Sequence, residues 1–118
     1  MPSLRLLDHF RNPRNVGELA PPAICIDAVN PACGDMLRLC AEVKENKVSA
    51  VSFKARGCPA SIAAGSALTE IMMGRTRAEL VTVDNQLIDD ALDGLEPASR
   101  HAAQLCVDAV KVFLTKWP

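Results

Sequence analysis

From Met36 to Lys44 the side chains alternate: Leu37, Leu39, Ala41 and Val43 are apolar, and Arg38, Glu42 and Lys44 fall between them. A period of two sends successive side chains to opposite faces of extended backbone, so this stretch predicts a strand with one buried face. Val48 to Ala55 repeats the pattern, with Val51, Phe53 and Ala55 expected inward and Ser52 and Lys54 outward. Glu45-Asn46-Lys47 between them reads as a tight hairpin connection, and Ile24 to Val29 is a weaker candidate for a third antiparallel strand.

Elsewhere the period lengthens. Ser3 can cap a short helix carrying Leu4, Leu6, Leu7 and Phe10, which the turn-forming run Asn12-Pro13-Arg14-Asn15-Val16-Gly17 stops. A linker, residues 18–22, ends in Pro21-Pro22. Pro59 suits a first helical position, and Ala60 to Met73 is rich in helix formers until Gly74. Ala78 to Leu80 and Leu87 to Leu92 predict short helical turns, the second closed by Gly94. Pro97 opens a final helix on which Ala98, Ala102, Leu105, Ala109, Val112 and Phe113 recur at steps of three and four. The expected class is α+β, a three-stranded antiparallel sheet with helices packed on one face, in a single domain over residues 1–118.

Composition narrows the function classes. Thirteen basic against fourteen acidic side chains leave no electrostatic footprint for nucleic acid, and aromatic platforms for stacking bases are scarce. No apolar run reaches the length of a membrane span, and Asp8 and His9 stand where a signal peptide would be apolar, so a cytoplasmic location is expected. Cys25, Cys33, Cys40, Cys58 and Cys106 are an odd set at irregular spacing in a chain large enough to fold unaided. Free thiols or metal ligands are expected rather than a disulfide framework.

Two of these cysteines stand in positions suited to chemistry. Cys33-Gly34-Asp35 lies between the first two strands, where Gly34 lets the backbone bend so that a thiolate and a carboxylate can share a metal. Cys58 follows Gly57 at the end of the last strand and precedes Pro59, at a helix N-terminus whose unpaired amides and dipole favour a thiolate, making it the expected nucleophile. The plain alternative is that each cysteine is a small core hydrophobe, and it is retained for Cys25 and Cys40 inside strands. Two cysteines 25 residues apart are no zinc-ribbon signature, so spacing leaves both readings open.

A resemblance carries the matter further. Leu7-Asp8-His9-Phe10, Asn12-Pro13-Arg14-Asn15-Val16-Gly17, Asn30-Pro31-Ala32-Cys33-Gly34-Asp35 and Phe53-Lys54-Ala55-Arg56-Gly57-Cys58 resemble, in order and spacing, the IscU/NifU amino-terminal domain of iron-sulfur cluster assembly scaffolds. The resemblance implies that Cys33, Asp35 and Cys58, with a His-Cys pair on the last helix, hold a transient [2Fe-2S] cluster or iron, or zinc in its absence. The family's histidine falls on His101, but its third cysteine falls on Ala102. Cys106 lies four residues further on, about 6 Å along the helix axis and at the edge of the apolar stripe, so core packing is expected for it over ligation. Of the family's chaperone-docking stretch, only the leucine and second proline survive in Leu95-Glu96-Pro97-Ala98-Ser99, which argues against recognition by a dedicated Hsp70-type chaperone.

The resemblance implies a scaffold or carrier, not an enzyme, that receives sulfur from a cysteine desulfurase and passes a cluster to apo acceptor proteins. Oxygen and nitrogen ligands hold clusters more loosely than four thiolates, which suits donation. The same residues would serve a SufU-like sulfur acceptor in which zinc keeps the thiolates deprotonated and Cys58 accepts persulfide. A degenerate member acting only as a binding partner is a further alternative. A thiol hydrolase or transferase built on Cys58 and His101 lacks a visible orienting group.

Overall fold

The period-two segments form a hairpin whose register puts like with like. In the computed structural model, which describes residues 2–32 and 34–118, β2 (Met36–Lys44) and β3 (Lys47–Arg56) run antiparallel with Leu37 opposite Ala55, Leu39 opposite Phe53 and Ala41 opposite Val51. The connection is tighter than expected. Glu45 and Asn46 alone make it, both at positive φ (52° and 63°), the mirror-image turn whose twist matches that of the strands. Strand β1 (Ile24–Val29) joins the other edge of β2, giving the order β1-β2-β3.

Helices cover the face carrying Leu37, Leu39 and Phe53. Helix α1 (Leu4–Arg11), capped by Ser3, is followed after the sheet by α2 (Pro59–Met72), α3 (Arg77–Leu80), α4 (Asn85–Ala91) and α5 (His101–Thr115). Ala60, Ala63, Ala64 and Ala67 of α2 are buried, and so is Gly65, where a Cβ would stand 2.6 Å from the Phe53 ring. Small residues therefore let α2 lie close against β3, and burial of the neighbouring apolar surface supplies the driving force. Pro97 opens a short 3-10 turn, Pro97–Ser99, and the α-helix proper begins at His101. The buried face of α5 differs from the expected stripe. Ala98 and Val112 are exposed, while Cys106 lies fully inside with Ala102, Leu105, Ala109 and Phe113, because α5 packs against α2, α4 and the sheet together.

The opposite face of the sheet is roofed in part by the linker. Val16 bridges Phe53 at the outer edge of β3, Glu18 pairs with Arg38 of β2 at 2.6 Å, and Leu19 O lies 3.7 Å from Cys25 Sγ on β1. Cys40 is buried on the face that periodicity assigns to solvent, and its register partner is Cys25. The two are joined by a disulfide, which corrects the expectation that all five cysteines are free or metal-bound. Among the described residues Cys58 and Cys106 are free thiols.

Two features fix α2 against its neighbours. Midway along it His9 of α1, 5% exposed, has Nδ1 at 2.7 Å from Ser66 Oγ, which also accepts the Arg14 N–H at 2.9 Å. The other imidazole nitrogen, Nε2, faces Glu70 Oε1 at 3.5 Å. Burial first, then Arg14, hold the His9 pKa below its ordinary value against the opposing pull of Glu70. At the start of α2, Gly57 turns the chain at φ +137°, and a Cβ there would lie 2.3 Å from Asp35 Oδ1. Gly34 has a positive φ (+76°) but nothing within 4 Å of its missing Cβ.

The His9 contact generates a pH prediction. An unfolded chain takes up a proton near the ordinary histidine pKa of 6.5, whereas folded His9 does so only at lower pH. Stability should therefore be level above about pH 6.5 and fall below it. Thermal melts should show a loss of a few degrees between about pH 7 and about pH 5.5, and His9→Gln should reduce that slope.

The two glycines generate a second prediction. Gly57→Ala should cost about 3 kcal/mol in urea denaturation and Gly34→Ala about 1 kcal/mol, because only the first adds collision with a buried carboxylate to backbone strain.

Candidate metal centre

The β1–β2 connection is held by its own hydrogen bonds. Gly34 N–H donates to Asn30 O at 2.7 Å, Asn30 N–H donates to Asp35 O at 2.8 Å, and the Asn30 side chain accepts the Ala32 N–H at 2.9 Å. This closes the loop and presents Asp35 at the start of β2, where its side chain is buried although it is a carboxylate. Its Oδ2 gathers donors from two helices: Ser61 Oγ–H at 2.7 Å, Cys58 N–H at 3.4 Å and His101 Nε2 at 3.2 Å. A buried carboxylate needs such donors in place of water.

Cys58 stands at the N-cap of α2, half-buried, with Pro59 in the first turn as the sequence implies. Its Sγ lies 3.3 Å from His101 Nε2 and 3.4 Å from Ser61 Oγ. His101 is the first residue of α5, so the beginnings of two helices and the end of the β1–β2 loop meet at one point. Ligand atoms of Asp35, Cys58 and His101 all lie within 4.8 Å of one another. Two ligands on one tetrahedral zinc are roughly 3.3–3.8 Å apart, so the spacing and the sulfur, oxygen and nitrogen donor set suit a shared metal.

Three of the four residues expected at the site are thus brought together. The fourth, Cys33, lies outside the described residues. Cys106 does not belong to this group. It is 1% exposed in the core of α5, and burial pushes its thiol pKa up to about 12. Ala102 is fully buried one residue beyond His101. Sequence reasoning missed Ser61, whose signal was present in the helical spacing: three residues after Cys58, it returns to the same side of the first turn. It also missed the demand that Asp35 makes on Gly57, since 22 residues separate the two (57 − 35).

No helix among the described residues is long and apolar enough to cross a membrane. Residues 3–118 match the family model of the NifU-like N terminal domain. The chain is 35% identical over 111 residues to the iron-sulfur cluster assembly scaffold protein IscU 1 of Archaeoglobus fulgidus, covering 94% of this chain and 72% of that one. It is 40% identical over 111 residues to the iron-sulfur cluster assembly scaffold protein IscU of Azotobacter vinelandii, covering 91% and 86%. Among solved structures, a candidate assembly scaffold for the SUF system from Fervidobacterium islandicum superposes with a TM-score of 0.79 at 19% identity, covering 95% of each chain. The N-terminal part of a NifU-like protein from Brucella abortus gives 0.65 at 19%, covering 94% and 78%. The match of the family model to residues 3–118, together with relatives above 30% identity across most of both chains, makes this chain a member of the NifU-like N-terminal domain family.

Proposed function

We propose that this protein is an iron-sulfur cluster assembly scaffold, working in the cytoplasm as a single domain and as a carrier rather than an enzyme. The observation that carries the reading is the convergence of Asp35, Cys58 and His101, in a member of this family, on one point at the end of the sheet. Cys33, Asp35, Cys58 and His101 would hold the cargo, iron or a [2Fe-2S] cluster. Sulfur would come from a cysteine desulfurase and the cluster would pass to apo acceptor proteins. The half-exposed Cys58 thiol, at the rim of the group, suits both exchanges.

A second reading is favoured by the compactness of the group. One thiolate, one carboxylate and one imidazole within 4.8 Å also fit a single zinc, with Cys58 accepting persulfide as in a SufU-like sulfur acceptor. Bound zinc would supply charge that keeps thiolates deprotonated.

Metal content after anaerobic purification tests the two. Iron with acid-labile sulfide, retained on reconstitution and lost in Cys58→Ala, is the expected outcome. Stoichiometric zinc with no reconstituted cluster would favour the sulfur acceptor, and no metal in either case would leave a partner-binding role.

The missing third family thiol supplies a further prediction. Ala102→Cys should raise metal or cluster retention several-fold, because it adds a soft ligand beside His101. Cys106→Ala should change retention little. The opposite pattern would make Cys106 the third thiolate.

A further inference from the structure

We infer that Ser61 is a positioning residue that sets the Asp35 carboxylate for the ligand that this site holds. The inference rests on the proposed metal or cluster role of Asp35, and it concerns how that side chain is aimed.

Ser61 is 2% exposed in the first turn of α2, where its own N–H bonds Cys58 O at 3.0 Å. A buried serine near a helix N-terminus commonly turns its hydroxyl to nearby backbone. Ser61 instead reaches a carboxylate 26 residues upstream, at 2.7 Å, within the range of a charge-assisted O–H···O⁻ bond. A hydroxyl has one proton to give. With that proton on Asp35, Ser61 can meet Cys58 Sγ, 3.4 Å away, only as an acceptor. One side chain therefore touches two of the three converging ligands, and its 2.7 Å bond to Oδ2 is shorter than the 3.2 Å from His101 and the 3.4 Å from Cys58 N–H.

The geometry has a mechanical meaning. Asp35 is carried by the β1–β2 loop, whereas Cys58 belongs to α2. Besides Ser61, Oδ2 meets His101, itself a candidate ligand, and the longer Cys58 N–H. The Ser61 bond, the shortest of these, ties the orientation of Asp35 most closely to the helical turn that carries Cys58. Partners of this kind around ligating groups affect metal affinity by about 10–100-fold.

A double-mutant cycle on the full chain tests this. Ser61→Ala removes one oxygen and should leave the fold intact. In metal-free protein it should lower Tm by roughly 5 °C, and the drop should largely vanish in an Asp35→Ala background. Equal drops in both backgrounds would overturn the inference. Zinc affinity, measured by chelator competition, should fall about tenfold in Ser61→Ala and show no further change when Ser61→Ala is added to Asp35→Ala. Unchanged affinity in folded Ser61→Ala would overturn it too. If the wild-type chain binds neither zinc nor iron, the scaffold and zinc readings fail, while the metal-free cycle still decides whether Ser61 governs Asp35.

Discussion

The close approach of α2 to β3 is the constraint on which the site depends. Gly65 lies where any side chain would strike the Phe53 ring, and the alanines around it are buried. A helix held at that distance must begin hard against the end of the strand, and the chain has only Gly57 and Cys58 with which to turn. The same proximity leaves the Asp35 carboxylate no room for a side chain at position 57. Core packing and site geometry are therefore one problem: a helix displaced outward would carry Cys58 and Ser61 away from Asp35 together.

The sheet and most helices were legible because their signals are local. Period-two alternation in residues 36–44 and 48–55 identified two strands, and the structure pairs them with Leu37, Leu39 and Phe53 on the covered face. Pro59 and Gly74 bracketed α2 to within two residues. The convergence of Asp35, Cys58 and His101 was legible only through family resemblance, because nothing in spacing brings residue 101 to residue 35.

What escaped the sequence depends on contacts between distant segments. Cys25 and Cys40 are unremarkable as strand residues and become partners only when the β1–β2 register is known. Cys40 and Ser52 are buried on the face that alternation assigns to solvent, and no local pattern marks that burial. His9 looks like a polar residue of an amphipathic helix, yet Ser66 and Arg14 enclose it. The exposed Ala98 and Val112 show the converse: apolar spacing marks a possible face, and the neighbouring elements decide how wide it is.

The bridge between Val16 and Phe53 has a consequence beyond the site. A three-stranded sheet has two edges, and the outer edge of β3 would offer unpaired amides and carbonyls to any extended chain that met it. Here Phe53 N–H donates to Asn15 O at 2.9 Å and Gly17 N–H donates to Phe53 O at 2.8 Å, with Asn15 at φ 56° bending the strap into reach. The Asn-Pro-Arg-Asn-Val-Gly block thus acts as a selvedge, finishing the rim of the sheet at its middle so that another polypeptide finds no continuous ladder there to extend.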